Sequence, residues 1–444
     1  MNKKLTSIGL LLILSMILSA CSAKNASSDP VTSFREVTQS TLGPNSGKTP
    51  PVVPGFDGET ISVGVVAPLS GLAGLLGQVL LDGAQTYWDE KNAQGGVAGK
   101  YKVDFLTKDS SSSEGYNKAL AIQGYKELQP KVVAFQQVLG NDVVTALKKR
   151  QFEDKQIIMP STLSSSWVRD PLTLSIANTY QTQAINGISY YVENSDKQDP
   201  NICTLSLDDS YGEEGLEGVE FASEKLGFEI KAKEQFTTLA PISVQVDKLI
   251  EAKCDAVFVS ATAIDIPSVL SAFAENKSTA TLIGLSGIWV PLIDVRLSEE
   301  SRDYATNHLW VVSAGAKWGD ESVPGMAKMM KAITTLRPKQ TSNSFFMYGY
   351  AQAWALDQLL EKAVQNGDLT SAGVARALSN VGTFDFQGLL PSYKYGPNTS
   401  TRVVPPENTI FKYTRDDPSK LTPISEDAID YKSEFVSKFK YPNK

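Results

Sequence analysis

Ile61-Ser62-Val63-Gly64-Val65-Val66-Ala67-Pro68-Leu69-Ser70-Gly71 is the stretch that decides the fold. Its β-branched residues read as a buried strand that stops at Pro68. A loop of small residues follows, and a helix is expected from about Gly77. Leu80, Ala84 and Tyr87 keep helical spacing, and Gly95-Gly96 ends that helix where positive φ is tolerated. A strand, a short loop and a helix in this order open an α/β sheet. Ser70 and Gly71 then lie at the carboxyl end of the first strand, where open parallel sheets bind ligands.

Working outward, the alternation continues. Tyr101–Thr107, Lys131–Gln136, Ile157–Met159 and Leu172–Ile176 read as strands with helical stretches between the earlier ones. A second series follows with Ile202–Leu207, Phe228–Lys233, Ala256–Val259, Thr281–Leu285 and Leu309–Val312. Two long helices are expected over about Val323–Thr335 and Ser344–Gln365, and then a strand-rich, Pro-rich end. Two β/α series in succession predict an α/β protein of two doubly wound parallel-sheet lobes.

The N-terminus points to export. Lys3-Lys4 precede an apolar run from about Leu5 to Leu18, too short for a membrane span, followed by Leu18-Ser19-Ala20-Cys21. This resembles a bacterial lipoprotein box. It implies a signal peptide over residues 1–20 and lipidation of Cys21, with the rest of the chain held outside the cytoplasm at the membrane by acyl chains. Residues 21–59 are rich in Ser, Thr, Pro and Gly and read as a flexible tether.

Composition narrows the activity. A net charge of −7 with no basic stripe argues against a nucleic-acid partner. The chain holds one histidine, His308, read as opening the strand Leu309–Val312, so no Ser-His-Asp set is in prospect. Three cysteines and one histidine make no zinc set. Gly71, Gly74 and Gly77 are spaced as GxxGxxG, which is not the GxGxxG of dinucleotide sites, and no Walker lysine follows. An enzyme is not expected, nor a cofactor or a metal.

Several pieces together resemble the type I periplasmic solute-binding proteins of the branched-chain amino-acid (leucine/isoleucine/valine) group, which serve ABC importers. They are Pro68-Leu69-Ser70-Gly71 with Gly77, Asn92 with Gly95-Gly96-Val97-Ala98-Gly99, Ile158-Met159-Pro160-Ser161-Thr162, Asp208-Asp209-Ser210-Tyr211-Gly212, and Gly284-Leu285-Ser286-Gly287. Each is weak alone, but they occur in the expected order along nearly the whole folded body. The resemblance implies two lobes joined by three crossings, near Ala177–Thr179, Val312–Ala314 and Val403–Pro406. One lobe is then 60–178 with 313–405, and the other 179–312 with 406–444. It further implies a monomer that closes on a small ligand and meets an ABC permease complex. A sensing lipoprotein that signals to a membrane partner uses the same clamp, and both readings stand at this point.

Matched to the family pattern, Ser161, Thr162 and Leu163 fall in the loop that holds an amino acid's polar head. Leu139-Gly140-Asn141-Asp142 approximates the loop that meets the carboxylate, with Asn141 a ligand contact or only a helix cap. On the second lobe, Tyr180 and Gln181, then Ala261, Thr262 and Ala263, and Ser286 are cleft-facing candidates. Trp167 and Trp289 are candidate pocket walls or ordinary core. Ser286 stands where the family carries a glutamate for the ligand ammonium. Either Asp265 or Asp209 supplies that charge, or the ligand has no ammonium, which favours a small carboxylate, an amide or an atypical amino acid. In the 2-1-3-4-5 strand order the resemblance implies, Cys203 and Cys254 sit at the same sheet end. A disulfide is expected there, with two buried thiols as the alternative.

Overall fold

The computed structural model describes residues 47–71, 74–112 and 115–441. The expected signal peptide, Cys21 and most of the expected tether lie outside the described residues.

The opening stretch forms β1 (Thr60–Ala67). It sits in a four-stranded parallel sheet with β2 (Lys102–Asp109), β3 (Ala134–Val138) and β4 (Ile157–Pro160), in the order β2-β1-β3-β4. A second sheet holds β5 (Ile202–Leu207), β6 (Ile230–Phe236), β7 (Ala256–Ser260), β8 (Thr281–Leu285), β9 (Leu309–Ser313), β10 (Thr409–Tyr413) and β11 (Leu421–Pro423). Its order is β11-β10-β9-β8-β7-β5-β6, so the first five strands follow the 2-1-3-4-5 pattern. They run parallel, whereas β10 is antiparallel to β9 and β11 to β10.

Helices cover both faces of each sheet, so central strands such as β3, β5 and β7 are buried along their whole length, whereas the edge strands β2 and β6 alternate. On the first sheet, α1 (Gly74–Ala93), α9 (Pro324–Leu336), α10 (Ser344–Gln365) and α11 (Ser371–Asn380) share one core cluster, with Leu80, Met329, Leu356 and Leu378 against Ile61 and Met159. The other face takes α2 (Lys118–Leu128) and α3 (Asn141–Asp154), through Tyr125 and Leu147 against Phe135. On the second sheet, α6 (Ser243–Glu251), α7 (Ile266–Glu275) and α8 (Glu299–His308) pack Leu249, Phe273 and Ala305 onto Leu205 and Leu282. Its opposite face receives Ile188 of α4 (Tyr180–Asn194) and Val219 of α5 (Ser210–Leu226). The chain thus leaves the first sheet after β4, builds β5–β9, returns to supply α9–α11, and comes back to add β10 and β11.

One helix contact matters for the site. A Cβ on Gly83 of α1 would run into the Phe346 carbonyl, and a Cβ on Gly349 of α10 into the Leu80 carbonyl. Reciprocal glycines therefore let the two backbones touch, which brings Leu80 beside the first turns of α10.

Four expectations change. Leu172–Ile176 makes a single bridge, Thr173 to Ile158, in place of a strand ladder. The region after Gln365 contains α11, whose start is capped when Thr370 accepts from the Gly373 N–H. His308 closes α8 and does not open β9. Part of the supposed tether is packed: the Gly47 N–H donates to the Gln365 carbonyl, and Phe56, 2% exposed, meets the edge of Tyr101. A single large aromatic, Phe56, anchors a stretch whose average composition is polar.

Cys203 on β5 and Cys254, just ahead of the neighbouring β7, form a disulfide with Cα atoms 5.9 Å apart.

Candidate functional site

A cavity lies at the carboxyl ends of β4 and β8 and is lined by elements of both sheets. From the first come Leu80 of α1, Pro160 at the end of β4, Ser161, Leu163 and Ile176 after it, and Phe345, Tyr348 and Gln352 of α10. From the second come Tyr180 of α4 and Ser286-Gly287 after β8. The chain has little choice here. Parallel strands end together, and each must turn into the helix that covers the sheet, so their loops converge on one edge. Leu163 packs against core residues of both sheets, as does Phe345.

The walls are apolar and aromatic, with a few polar atoms. Gln352, 3% exposed, donates through Nε2 to the Pro160 carbonyl at 2.9 Å, and its Oε1 has no partner. The Ser161 hydroxyl is likewise buried and unpartnered, although its N–H donates to Val138 O at 3.0 Å. The Ser286 N–H is held by Gln183 Oε1 at 2.9 Å. Tyr180 donates its N–H to Leu163 O and meets Tyr211 edge-on, with ring centroids 4.6 Å apart; burial pushes its phenol well above the ordinary range. Among the described residues that line the cavity, none is charged.

Of the residues singled out in the sequence, the cavity gathers Ser161, Leu163, Tyr180 and Ser286. Others are engaged elsewhere. Ser70 is exposed and pairs with Ser111. Thr162 accepts from the Trp167 indole at 3.1 Å, and Trp167 belongs to the core beneath α2 and α3. Asn141 reaches from α3 to Ser210 Oγ on α5 at 3.2 Å. Thr262 donates to Asp265 at 2.6 Å, and Ala263 sits in the core. Asp265 also accepts from the Leu239 N–H, and Asp209 caps α5 through the N–H groups of Tyr211 and Gly212. Both carboxylates that might have met an ammonium are thus committed to local structure, outside the cavity lining. Trp289 lines a different cavity, described below.

Sequence reasoning missed the wall built by helices. Leu80 was read only for its spacing, and Phe345, Tyr348 and Gln352 were read as one long helix. The signal was there: these three recur at helical spacing, and Gln352 stands alone among the buried alanines Ala351, Ala353 and Ala355. Sequence reasoning also missed Glu214 of α5. It is 7% exposed and accepts from the Ser164 hydroxyl and from the Ser165 N–H at 3.2 Å, across the gap from the loop after β4. Gln181 of α4 joins the same cluster through Ser165 Oγ at 3.0 Å and Glu217 at 2.9 Å. Burial without a cation pushes the Glu214 carboxyl up to about 7.

Comparison with known proteins places this arrangement. No curated protein sequence matches the chain. Among solved structures, the fatty acid ABC transporter substrate-binding protein from Thermomonospora curvata has a TM-score of 0.78 at 24% identity, over 88% of this chain and 97% of that one. A branched-chain amino acid ABC transporter protein from Thermus thermophilus with bound valine gives 0.70 at 14% identity, over 86% and 98%. A substrate-binding protein of an ABC transporter from Aeropyrum pernix gives 0.69 at 18%, over 82% and 95%. At such identities the likeness is one of fold. The sequence profile described as periplasmic binding protein matches residues 60–403, which take in the first sheet, the five parallel strands of the second and every residue of the cavity. On that match, the chain belongs to the periplasmic binding protein family.

Proposed function

We propose that this protein captures a small, mostly apolar solute without an ammonium group, an amide or a carboxylic acid, and delivers it to an ABC import permease. The cavity lining carries the reading. Its walls come from both sheets, none of the lining residues is charged, and Ser161 Oγ and Gln352 Oε1 are buried without partners. Gln352 Oε1 only accepts, while a serine hydroxyl both donates and accepts. A primary amide or a protonated acid meets that pair with one oxygen and one N–H or O–H. An ammonium would sit in an apolar cavity with no anion beside it, at considerable cost. Two structural relatives, a fatty acid ABC transporter substrate-binding protein and a branched-chain amino acid transporter protein with bound valine, both take ligands with an apolar body.

In this reading, residues 60–178 with 313–405 form one jaw and 179–312 with 406–444 the other. Ligand contact with both shifts the population towards the closed form, because only differential affinity moves such an equilibrium. Cys21 carries the acyl anchor, so the protein works outside the cytoplasm. Among the described residues, no helix is long and apolar enough to cross a membrane.

Thermal-shift and calorimetric titration with 4-methylpentanamide, 4-methylpentanoic acid and leucine tests this. The amide or the acid is expected to bind at least tenfold tighter than leucine. At a hundredfold excess over its Kd it adds about 2.7 kcal/mol to stability. Tight binding of leucine with no response to the other two would overturn the reading.

A further inference from the structure

On the other side of the first turns of α10 lies a second cavity, walled chiefly by Trp289, Trp318, Met347, Phe411 and Leu421. Neighbouring residues divide between the two spaces. Phe345 and Tyr348 line the first, while Ser344 and Met347 line the second. Ser286 and Gly287 line the first, and Trp289 the second. The two cavities therefore share a wall. At one point it is closed by Tyr348, from the first cavity, against Ser313, from the second, with their hydroxyls 3.4 Å apart. That is long for a bond between hydroxyls, which settle near about 2.8 Å, and the Tyr348 hydroxyl is shared besides with Ser286 and the Ala314 backbone. The second cavity holds one anomaly: Trp289 is 1% exposed and its indole N–H has no acceptor. Like the first, this cavity takes walls from both sheets, with Trp318 and Met347 against the first core and Trp289 in the second.

We infer that the second cavity is the far end of the ligand site, and that the natural ligand is elongated, with an apolar chain that passes Tyr348 to lie between Trp289 and Trp318. This rests on the reading that the first cavity holds the polar head. The unpaired indole N–H marks where an oxygen on the distant part of the chain is taken. A chain filling both cavities touches both jaws twice, and so contributes more to closure than a head group alone.

Titration of the full chain with straight-chain primary amides of four, six, eight, ten and twelve carbons tests this. Affinity is expected to tighten about fourfold per methylene through the longest member. A terminal hydroxyl on the twelve-carbon amide should tighten binding further, and Trp289→Phe should abolish that gain. Ala316→Phe, which fills the second cavity, should weaken the twelve-carbon amide at least tenfold and leave the loss confined to the long members. Leu421→Trp fills the same space from the edge of the sheet and serves if the first variant does not fold. Affinity that levels off at six carbons, or filling variants that weaken every member equally, would overturn the inference while leaving the proposed head-group site intact. If neither an amide of any length nor 4-methylpentanoic acid binds, the head-group reading falls and this one with it.

Discussion

Gln352 divides its amide between two duties. Its Nε2 is spent on the Pro160 carbonyl at 2.9 Å, which fixes the side chain, and its Oε1 is left free at the cavity. Ser161 offers the complementary hydroxyl. Ser161→Ala is expected to weaken the amide ligand about five- to tenfold, the worth of one hydrogen bond in a dry site, with unchanged thermal stability of the ligand-free protein. Calorimetric titration beside a melting curve reads both. The residue scale is also where the sequence was least legible. Ser161, Leu163, Tyr180 and Ser286 were found because they stand at strand ends or at the first crossing, but so do Thr262 and Asn141. A polar side chain at the start of a helix satisfies the helix's own N–H groups as readily as a ligand. Asp209 does this for Tyr211 and Gly212, the Thr262 hydroxyl is spent on the Asp265 carboxylate, and no spacing rule separates them from Ser161.

At the scale of elements, the meeting of α1 and α10 positions half of the cavity wall. Gly349→Ala puts a methyl into the Leu80 carbonyl and must push the helices apart, at a cost of about 1–3 kcal/mol in denaturant unfolding. Ligand affinity should fall with it, since Leu80 and Tyr348 separate. These two helices were legible from their apolar spacing, whereas α11 was not. Its run Ser371-Ala372-Gly373-Val374-Ala375 is made of small residues within what the sequence presents as a strand-rich end, and tertiary packing of Val374 and Leu378 makes it a helix.

The contact between α5 and the loop after β4 carries a pH dependence. Glu214 faces Ser164 and Ser165 from that loop and Glu217 on its own helix; Gln181 of α4 hydrogen-bonds to Ser165 and Glu217. Its carboxyl is pushed from 4.5 up to about 7 by burial. When the jaws part, water returns and the value falls back towards 4.5, so closing takes up a proton between those limits. Affinity is therefore expected to be highest below about pH 5 and to weaken as pH rises through 7, by up to about a hundredfold. Glu214→Gln should flatten the profile at the tight end. Titration from pH 5 to 8 checks this; a profile that Glu214→Gln leaves unchanged would assign the effect to another group.

For the whole molecule, two β/α series were readable from the alternation of strand and helix, and the 2-1-3-4-5 order that the resemblance implies holds for the five parallel strands of the second sheet. The packing of residues 47–59 was not, because composition averages over a stretch that one aromatic, Phe56, anchors. The disulfide ties the amino end of β5 to the approach of β7, whereas the cavity lies at the carboxyl ends of the strands. Replacing both Cys203 and Cys254 with serine should cost about 4 kcal/mol, the chain entropy of a loop of 51 residues, and leave ligand affinity unchanged. Equilibrium unfolding in urea, paired with calorimetry, separates the two effects.

What holds these scales together is the closing of one half of the molecule upon the other around a solute. Small-angle X-ray scattering of the full chain, with and without a saturating amide shown by calorimetry to bind, measures it most directly. The radius of gyration should shrink when the amide is added. An identical scattering curve with the ligand demonstrably bound would contradict it.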